Sequence, residues 1–291
     1  MNVTESGFKN RQLHMEDYLQ MVSAEQKEYA EVFDYSKITE KSGVITDYWT
    51  NNLLELILRK DNLNNAYKQV KRNRGKGGID GMQVDELLPF LRENQDTLIR
   101  KIREGKYKPN PVRRVEIPKE TEGEFRKLGV PTVVDRVIQQ AIAQELSPVY
   151  EKQFSENSFG FRPKRGAHDA LRQCQKNVND GYVYVVDMDL EKFFDTVCQS
   201  KLIEVLSRTI KDGRVISLIH KYLNAGVIAK GMFERTEVGM PQGGPLSPLL
   251  SNVMLNELDK ELESRGHRFV RYADDCMIFC KSRKSAERTL K

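Results

Sequence analysis

The sequence predicts an α+β fold in which helices pack against an antiparallel sheet. Apolar residues recur at helical spacing in long segments, of which residues 132–146 are the clearest. Short segments rich in valine and tyrosine, such as residues 182–190, have the composition of strands. Two further strand-like segments are separated only by Ala273-Asp274-Asp275, which predicts a hairpin and therefore antiparallel pairing.

The composition is that of a soluble globular protein, with 39% hydrophobic and 31% charged residues. A length of 291 residues is enough for one large domain or two lobes. No apolar run approaches the ~20 residues that span a bilayer, and residues 1–9 lack the apolar core of a signal peptide. The four cysteines have no CxxC spacing and the four histidines are scattered. These features favour reduced thiols in a cytoplasmic protein that contacts no membrane.

The positive charge is unevenly distributed along the chain. Residues 1–50 contain nine acidic and five basic side chains, whereas the whole chain has a net charge of +5, so the remaining 241 residues carry +9. Residues 59–76 contain seven basic side chains against Asp61 alone, and residues 100–119 contain eight against two glutamates. Either run alone would favour a solvated helix face, but the two together are typical of a protein that binds nucleic acid.

The first half of the chain is predicted to form helices followed by a hairpin. Residues 1–45 are polar and acidic with weak periodicity, which indicates a peripheral N-terminal extension. Helical periodicity covers residues 51–70 and 84–104, and the glycine-rich segment 73–82 separates them. After two prolines we expect a strand at 112–118, a hairpin tip at 120–127 and a return strand at 128–130.

The second half opens with the helix at 132–146, for which Thr132 is the expected N-cap and Asp135 completes a variant of the capping box. A strand at 182–190 follows. Further along we expect mostly helix at 201–223, a Gly/Pro loop at 240–248, a long helix at 249–265, the acidic hairpin, and a helix that begins within the last ten residues.

The acidic hairpin is the first candidate for chemistry. Asp274 and Asp275 are adjacent, and two neighbouring carboxylates repel each other unless a cation compensates them. A divalent metal is the obvious cation because hard cations take oxygen ligands. The alternative is a solvated acidic turn, since Asp is common in turns.

A second carboxylate cluster lies in residues 187–195. On a strand, Asp187 and Asp189 point to one face, and a carboxylate leaving the end of this strand could face the acidic hairpin. Three such carboxylates would hold two Mg²⁺ ions about 4 Å apart, which stabilise the attacking and leaving oxygens of a phosphoryl displacement. These residues alone do not choose between Asp187 and Asp189, and a strand-end Asp paired with Lys or Arg is the alternative.

The chain resembles the reverse transcriptases of the group II intron maturase type. Tyr272-Ala273-Asp274-Asp275 is similar to that family's YADD motif. Other segments resemble its remaining blocks in the same order, and the resemblance covers most of residues 50–291. These segments are 75–82 (GKGGIDGM), 113–119 (RRVEIPK) with 126–141 (RKLGVPTVVDRVIQQA), 158–171 (SFGFRPKRGAHDAL), 187–195 (DMDLEKFFD) and 239–259 (GMPQGGPLSPLLSNVMLNELD).

The resemblance implies a catalytic metal site. In the family the metal-binding Asp stands six positions before the Asp of an FFD sequence, which assigns the ligand to Asp189. Asp189, Asp274 and Asp275 would then be the catalytic carboxylates that hold two Mg²⁺ ions, with Mn²⁺ able to substitute. By the same resemblance Phe194 is the bulky side chain under the incoming sugar, where it would collide with a 2′-OH and favour dNTPs. Its alternative role, and that of Phe193, is core packing.

Further residues are implied to bind the incoming nucleotide and RNA. Arg113 and Lys119 match positions that contact the triphosphate, with Arg114 as a neighbour, and Gln242 would face a base pair or ribose. The basic helix at 59–76 is the expected intron-RNA contact, and the aromatic and basic segment 158–165 suits contact with template. The RNA-binding candidates are Lys71, Arg72, Arg74, Lys76, Arg162 and Arg165.

The family has a right-hand polymerase fold, and the resemblance divides this chain accordingly. Residues 46–181 would form fingers, with the RNA-binding block and an insertion near 150–171 typical of group II enzymes. Residues 182–291 would form a palm with an antiparallel sheet, and part of 199–238 could pack with the fingers. The family normally continues into a thumb, so we expect the thumb to be missing here, and RNA binding with weak processivity.

The function implied is RNA-directed DNA polymerisation by a mobile group II intron protein that also acts as a splicing maturase. Its partners would be group II intron RNA, an RNA template and primer, dNTPs and, for the full-length protein, target DNA, in a bacterial or organellar nucleic-acid compartment. Monomer and homodimer both stay open. The alternatives are an RNA-binding splicing factor that does not need catalysis, or a reverse transcriptase of the retron or diversity-generating type.

Overall fold

The computed structural model describes residues 51–118 and 125–290, and this part of the chain has a mixed α+β fold with two separate sheets. The predicted N-terminal extension at 1–45, most of the predicted hairpin tip and Lys119 lie outside the described residues. In the described part, no helix is long and apolar enough to cross a membrane.

The helices within the described ranges are α1 Leu53–Ile57, α2 Lys60–Arg72, α3 Leu87–Arg103, α4 Val133–Glu151, α5 Ala167–Asn179, α6 Phe193–Thr196, α7 Gln199–Thr209, α8 Gly213–Leu223, α9 Ser247–Ser264 and α10 Arg283–Thr289. The strands are β1 Val112–Pro118, β2 Phe125–Val130, β3 Tyr184–Met188, β4 Val227–Ala229, β5 Met232–Glu234, β6 Arg268–Tyr272 and β7 Asp275–Cys280.

Two compact units divide the chain, and each consists of separate stretches of sequence. The three-stranded unit contains residues 155–189 and 258–290, and the four-stranded unit contains the described residues up to 154 together with 190–257. Residues 199–238 belong to the same unit as residues 51–118. The predicted division into fingers and palm at residue 181 stays a prediction.

The three-stranded unit has a purely antiparallel sheet in the order β3-β7-β6. One face packs against Ala167 and Ala170 of α5 through an apolar cluster that includes Val270 and Phe279. The other face packs against α10 and the end of α9 through Phe269 and neighbouring residues. Successive side chains along β6 point to opposite faces of the sheet, so the β6–β7 hairpin is buried on both faces.

The four-stranded unit has a mixed sheet in the order β2-β1-β4-β5. β1 and β2 form the predicted antiparallel hairpin, with Arg113 opposite Val130. β1 also pairs in parallel with β4, a pairing that was not predicted from the sequence. The β4–β5 hairpin was not predicted because each strand has three residues and Met232 and Phe233 are exposed, which leaves no apolar alternation to detect.

The main apolar core surrounds helix α4, whose residues Val133 to Ala143 are all buried. The helix begins as predicted, with Thr132 as N-cap accepting a hydrogen bond from the Asp135 backbone nitrogen at 3.2 Å. The helix predicted at 51–70 is instead two helices, since Arg59 adopts an extended conformation (φ −60°, ψ 142°) that no α-helix can contain.

Candidate active site

Strand pairing brings Asp189 next to the acidic hairpin. β3 pairs with β7 so that Asp187 lies opposite Met277 and Met188 lies opposite Cys276. Asp189 directly follows this last pair and Asp275, the first residue of β7, directly precedes it, so both carboxylates lie at the end of the sheet where the β3–β7 pairing stops. Since Asp274 immediately precedes Asp275, all three carboxylates lie at one end of the three-stranded sheet, within one compact unit.

The hairpin turn has a defined backbone conformation. Tyr272 of β6 pairs with Asp275 of β7, so Ala273 and Asp274 form a two-residue turn. Ala273 has a φ of 56°, in the left-handed region that costs an L-residue roughly 1–2 kcal/mol. Within the described residues, Asp274 is not among those with positive φ.

The carboxylates at this end of the sheet are accessible to solvent. Asp187 and Asp189 are exposed, whereas Asp274 and Asp275 are half-buried. Neither Asp187 nor Asp189 forms a salt bridge with Lys or Arg in residues 51–118 and 125–290; the ion pairs of this unit use other acids, such as Asp180. The two residues differ in position, because Asp187 lies inside β3 and Asp189 is the first residue after it.

The chemistry of these residues fits a hard divalent cation. Carboxylate oxygens that are grouped at one end of a sheet and open to water are the ligands that Mg²⁺ takes in proteins. Among the described residues, however, no group of three or more His, Cys, Asp or Glu side chains is arranged to hold a metal ion. Metal binding by Asp189, Asp274 and Asp275 therefore stays a prediction.

The loop 155–165 supports the acidic hairpin from the outer edge of β6. The Arg271 nitrogen donates to the Asn157 carbonyl at 2.9 Å, and the Phe159 nitrogen donates to the Arg271 carbonyl at 2.9 Å. Gly160 then meets the turn, because a Cβ added to it would lie 2.9 Å from the Ala273 Cα. Only glycine fits at this position without a shift of backbone.

Two arginines that were predicted to bind RNA hold this same loop together. Arg162 is 4% exposed, and its guanidinium donates to the carbonyls of Ser155 and Ser158, the latter at 2.8 Å. Arg165 is half-buried and donates hydrogen bonds to the backbone carbonyl and the carboxylate of Glu156. Its guanidinium carbon lies 5.6 Å from the centre of the Phe159 ring in the same loop. RNA contact by Arg162 and Arg165 stays a prediction.

The two phenylalanines that follow β3 differ in burial. Phe193 is 8% exposed and belongs to the main core, whereas Phe194 is half-buried and packs edge-on against it with ring centroids 5.5 Å apart. The Phe194 carbonyl accepts a hydrogen bond from the Met240 nitrogen at 2.7 Å. Phe193 is thus the core residue of the pair, and Phe194 keeps an accessible surface.

Two guanidinium groups hold the glycine-rich loop 75–82 in the four-stranded unit. Arg113 on β1 donates from Nε and Nη2 to the Gly77 carbonyl at 3.3 and 2.9 Å. Arg136 on α4 donates to the Lys76 carbonyl at 2.5 Å. Burial lowers the pKa of Arg136, and the nearby Arg113 adds repulsion. Arg114 is the next residue on β1, where it is half-buried and, by the strand alternation, faces the opposite side from Arg113.

Gln242 lies in the Gly/Pro loop, which packs against β2 in the same unit. Its carbonyl accepts a hydrogen bond from the Gly129 nitrogen at 2.7 Å, and its side chain is half-buried. Gly243 has a φ of 117°, and a Cβ there would lie 2.9 Å from the Gly129 carbonyl oxygen, so a side chain at this position would strain the loop.

The basic block predicted to contact RNA is exposed on the four-stranded unit. Lys71 and Arg72 lie in the last turn of α2, and Arg74 and Lys76 lie in the loop that follows. All four side chains are exposed. Cations in this place also stabilise the C-terminal end of the helix dipole.

Three charged residues that the structure buries were assigned no role from the sequence. Arg271 and Asp259 are 0% exposed and form an ion pair behind the acidic hairpin, and Arg136 is 9% exposed. Asp259 and Arg136 lie inside segments that resemble the family, and Arg271 directly precedes the YADD motif. The one available signal was the place of Arg271 between Val270 and Tyr272 on a strand, which puts its side chain on the same buried face as Phe269.

Comparison with known proteins identifies the family to which the chain belongs. Residues 117–291 match the family described as reverse transcriptase (RNA-dependent DNA polymerase). The chain belongs to the reverse transcriptase family. Members of this family use divalent metal ions, which fits the carboxylates at the end of the three-stranded sheet.

Several relatives cover most of this reverse transcriptase chain. It is 38% identical to protein YkfC of Escherichia coli (strain K12) over 73% of its length and 57% of the relative. It is 36% identical to the group II intron-encoded protein LtrA of Lactococcus lactis subsp. cremoris over 77% of its length and 37% of the relative. It is 34% identical to the putative COX1/OXI3 intron 2 protein of Saccharomyces cerevisiae over 80% of its length and 27% of the relative.

A solved structure supports the same fold. A chain of a partial Cas6-RT-Cas1–Cas2 complex superimposes with a TM-score of 0.52 at 27% identity, and the match covers 82% of this reverse transcriptase and 41% of that chain. The chain thus spans little more than half of the curated relative YkfC and less than half of LtrA.

Proposed function

We propose that this chain is the fingers and palm of an RNA-directed DNA polymerase that extends a primer with dNTPs and belongs to the group II intron type. The observation that supports this proposal is the β3–β7 pairing that ends with Met188 opposite Cys276, because Asp189 and Asp275 directly adjoin that last pair and Asp274 lies in the turn. The group II intron origin rests on the relatives named as intron proteins.

The proposed metal ligands are Asp189, Asp274 and Asp275. When bound, Mg²⁺ supplies electrostatic stabilisation to the attacking and leaving oxygens of the phosphoryl group. The carboxylates would contribute by holding the Mg²⁺ ions in place, which determines where their positive charge acts. Because oxygens of the protein hold the metal and the primer supplies its own 3′-hydroxyl, the chain needs no nucleophile of its own.

The remaining residues would bind and select the nucleotide. Arg113, Arg114 and Lys119 would provide positive charge for the triphosphate as negative charge develops on it. Phe194 would exclude a 2′-OH by contact with the sugar, and Gln242 would orient the ribose or base pair through its amide. Template RNA would bind the exposed basic block at the end of α2 and the loop 155–165.

Primer extension tests the polymerase proposal. The wild-type chain is given an RNA template, a DNA primer, dNTPs and Mg²⁺, and is compared with Asp274→Asn and Asp189→Asn. We expect both variants to lose extension by about 100-fold or more, as for removal of a group that stabilises charge in the transition state. Asp187→Asn is the matched control, because Asp187 is two residues from Asp189 and is also exposed, but it lies inside β3.

Equal extension by wild type and Asp274→Asn would overturn the metal assignment. Equal loss of primer extension in Asp187→Asn and Asp189→Asn would show that the site does not specifically require Asp189 as its third ligand. Thermal unfolding of each variant is measured alongside, because a lost fold would also abolish extension.

A splicing function is the second candidate, and the intron names of LtrA and the yeast relative favour it. As a maturase, the chain would bind intron RNA through its basic surfaces, which does not require the carboxylates. Splicing of a group II precursor RNA should therefore be promoted equally by wild type and Asp274→Asn. It should decline when Lys71, Arg72 and Arg74 are neutralised, and no effect of the chain on splicing would exclude this role.

A further inference from the structure

We propose that Arg271, anchored by Asp259, is a positioning residue that fixes the turn carrying Asp274. The inference rests on the proposed function, because it concerns the alignment of the same metal site. No contact of Arg271 with substrate is involved, since its effect would pass through the backbone of the turn.

A buried fork of hydrogen bonds holds the Arg271 guanidinium. Its Nε donates to Asp259 Oδ1 at 2.7 Å and its Nη2 donates to Asp259 Oδ2 at 2.6 Å. Both side chains are 0% exposed. A bidentate Arg–carboxylate pair fixes the plane of the guanidinium as well as its charge, so the direction of its remaining nitrogen is fixed too.

That remaining nitrogen is directed at the turn. Arg271 Nη1 donates to the Ala273 carbonyl oxygen at 2.7 Å. This oxygen belongs to the peptide group whose nitrogen is that of Asp274. Because the peptide group is planar, a fixed carbonyl fixes the orientation of the whole unit and thus the direction from which Asp274 leaves the turn.

The turn needs such support because Ala273 has an unfavourable backbone conformation, with a φ of 56°. Strained backbone persists where the surroundings over-determine it, and it occurs often at functional sites. Arg271 bonds to the carbonyl of this turn, and Gly160 packs against the Ala273 Cα and nitrogen. The support is therefore built from both the sheet and the loop 155–165.

Strand alternation places Arg271 behind the site. Arg271 lies opposite Cys276 in the pairing of β6 with β7, whereas the next pair is Tyr272 with Asp275. Since successive side chains point to opposite faces, Arg271 and Asp275 are on different faces of the sheet. Arg271 joins the hairpin to Asp259 on α9, so the orientation of the turn depends on the packing of that helix.

The experiment measures Mn²⁺ binding to the whole 291-residue chain by electron paramagnetic resonance, with Mn²⁺ alone and no nucleic acid. Removing only Arg271 leaves a buried carboxylate, which could unfold the protein. The informative variant is therefore the double replacement Arg271→Met with Asp259→Leu. It exchanges the ion pair for apolar side chains of similar size, which is often neutral for stability, but it removes the bond to the Ala273 carbonyl.

We expect the double variant to unfold at a temperature close to that of the wild type and to bind Mn²⁺ about tenfold more weakly, as for loss of an outer-shell partner of a metal site. In primer extension its kcat should fall with little change in KM for dNTP, because bound dNTP is retained while the metal is misplaced. Arg268→Met is the control: Arg268 is on the same strand, but its ion pair with Asp180 is about 41–42% exposed, and Mn²⁺ affinity should not change.

Unchanged Mn²⁺ affinity in the double variant would overturn the positioning role, as would a loss equal to that of Arg268→Met. Asp274→Asn separates this from failure of the proposed function. If Asp274→Asn weakens Mn²⁺ binding and the double variant does not, only the positioning role is wrong. If Asp274→Asn binds Mn²⁺ as the wild type does, the metal assignment itself is wrong, and the positioning role with it.

Discussion

Individual side chains in this protein differ in role according to how much of their surface is exposed to solvent. Phe193 and Phe194 are adjacent and chemically identical, yet one is in the core and the other is half-buried. The sequence predicted that one of the pair would be a core residue, but not which. Burial of neighbours depends on the helix that follows β3, and that helix, α6, has only four residues and no periodicity to read.

The accessible phenylalanine leads to a prediction about sugar selection. Phe194→Ala should reduce the preference for dNTP over rNTP by about tenfold or more, since discrimination by shape alone is worth one to two orders of magnitude. The measurement is the ratio of kcat/KM for the two nucleotides in primer extension. Phe233→Ala, which removes a 55% exposed ring from the same compact unit, should leave the ratio unchanged. An unaltered ratio in Phe194→Ala would remove this residue from the nucleotide site.

Thiol reactivity gives a second prediction at this scale. Cys198 is exposed, and a hydrogen bond with Ser200 lowers its pKa, whereas burial raises the pKa of Cys276 to about 12 and that of Cys174 to about 11. The thiolate is the reactive species, so iodoacetamide near pH 8 should modify Cys198 first. Cys174 and Cys276 should react only after unfolding. Peptide mass spectrometry over time checks the order, and early modification of Cys276 would contradict the burial of β7.

At the scale of elements, strong local signals predicted the structure well. The helix predicted at 132–146 is present as α4, because an apolar face and a capping residue agree with each other over several turns. Its end was placed too early, because the helix continues to Glu151 with Pro148 inside it. Pairing between distant strands was not available from the sequence, and it is the β3–β7 pairing that brings the end of β3, just before Asp189, to the start of β7 at Asp275.

The cap of α4 provides a test of this local reasoning. Thr132 is fully buried, its hydroxyl donates to the Asp135 carboxylate at 2.6 Å, and the same oxygen accepts from the Asp135 nitrogen. Thr132→Ala should lower the free energy of unfolding by about 1–2 kcal/mol, the usual cost of a lost N-cap. Thr132→Ser keeps the hydroxyl and should recover most of this loss. Urea unfolding measures both, and equal stability of Thr132→Ala and wild type would contradict the capping role.

Charge is the property that belongs to the whole molecule. The overall value of +5 hides a first segment of balance −4 and a remainder of +9. This asymmetry was visible in the sequence, whereas the burial of Arg162, Arg271 and Asp259 was not. Composition alone assigns charged residues to the surface, and only tertiary packing decides which of them become internal ion pairs or loop supports.

Measurements of RNA binding should show which of the exposed basic side chains contact RNA. Neutralising Lys71, Arg72 and Arg74 to Gln should weaken RNA binding and reduce the slope of log K against log salt by up to about 2–3, because each lost phosphate contact releases about one counterion fewer. The measurement is fluorescence anisotropy of a labelled structured RNA between low and physiological salt. Activity of the carboxylates is not involved, so the effect should also occur in Asp274→Asn.

A second triple variant distinguishes RNA binding by a specific basic surface from attraction by the net charge of the whole protein. Arg92, Lys284 and Arg288 are exposed and distant in sequence from the end of α2, and their replacement by Gln changes the net charge by the same amount. If net charge alone attracts RNA, both triple variants should lose affinity and salt slope equally. If the end of α2 is the contact, the first triple variant should lose several phosphate contacts while the second keeps the wild-type slope, because only cations that neutralise phosphates release counterions on binding.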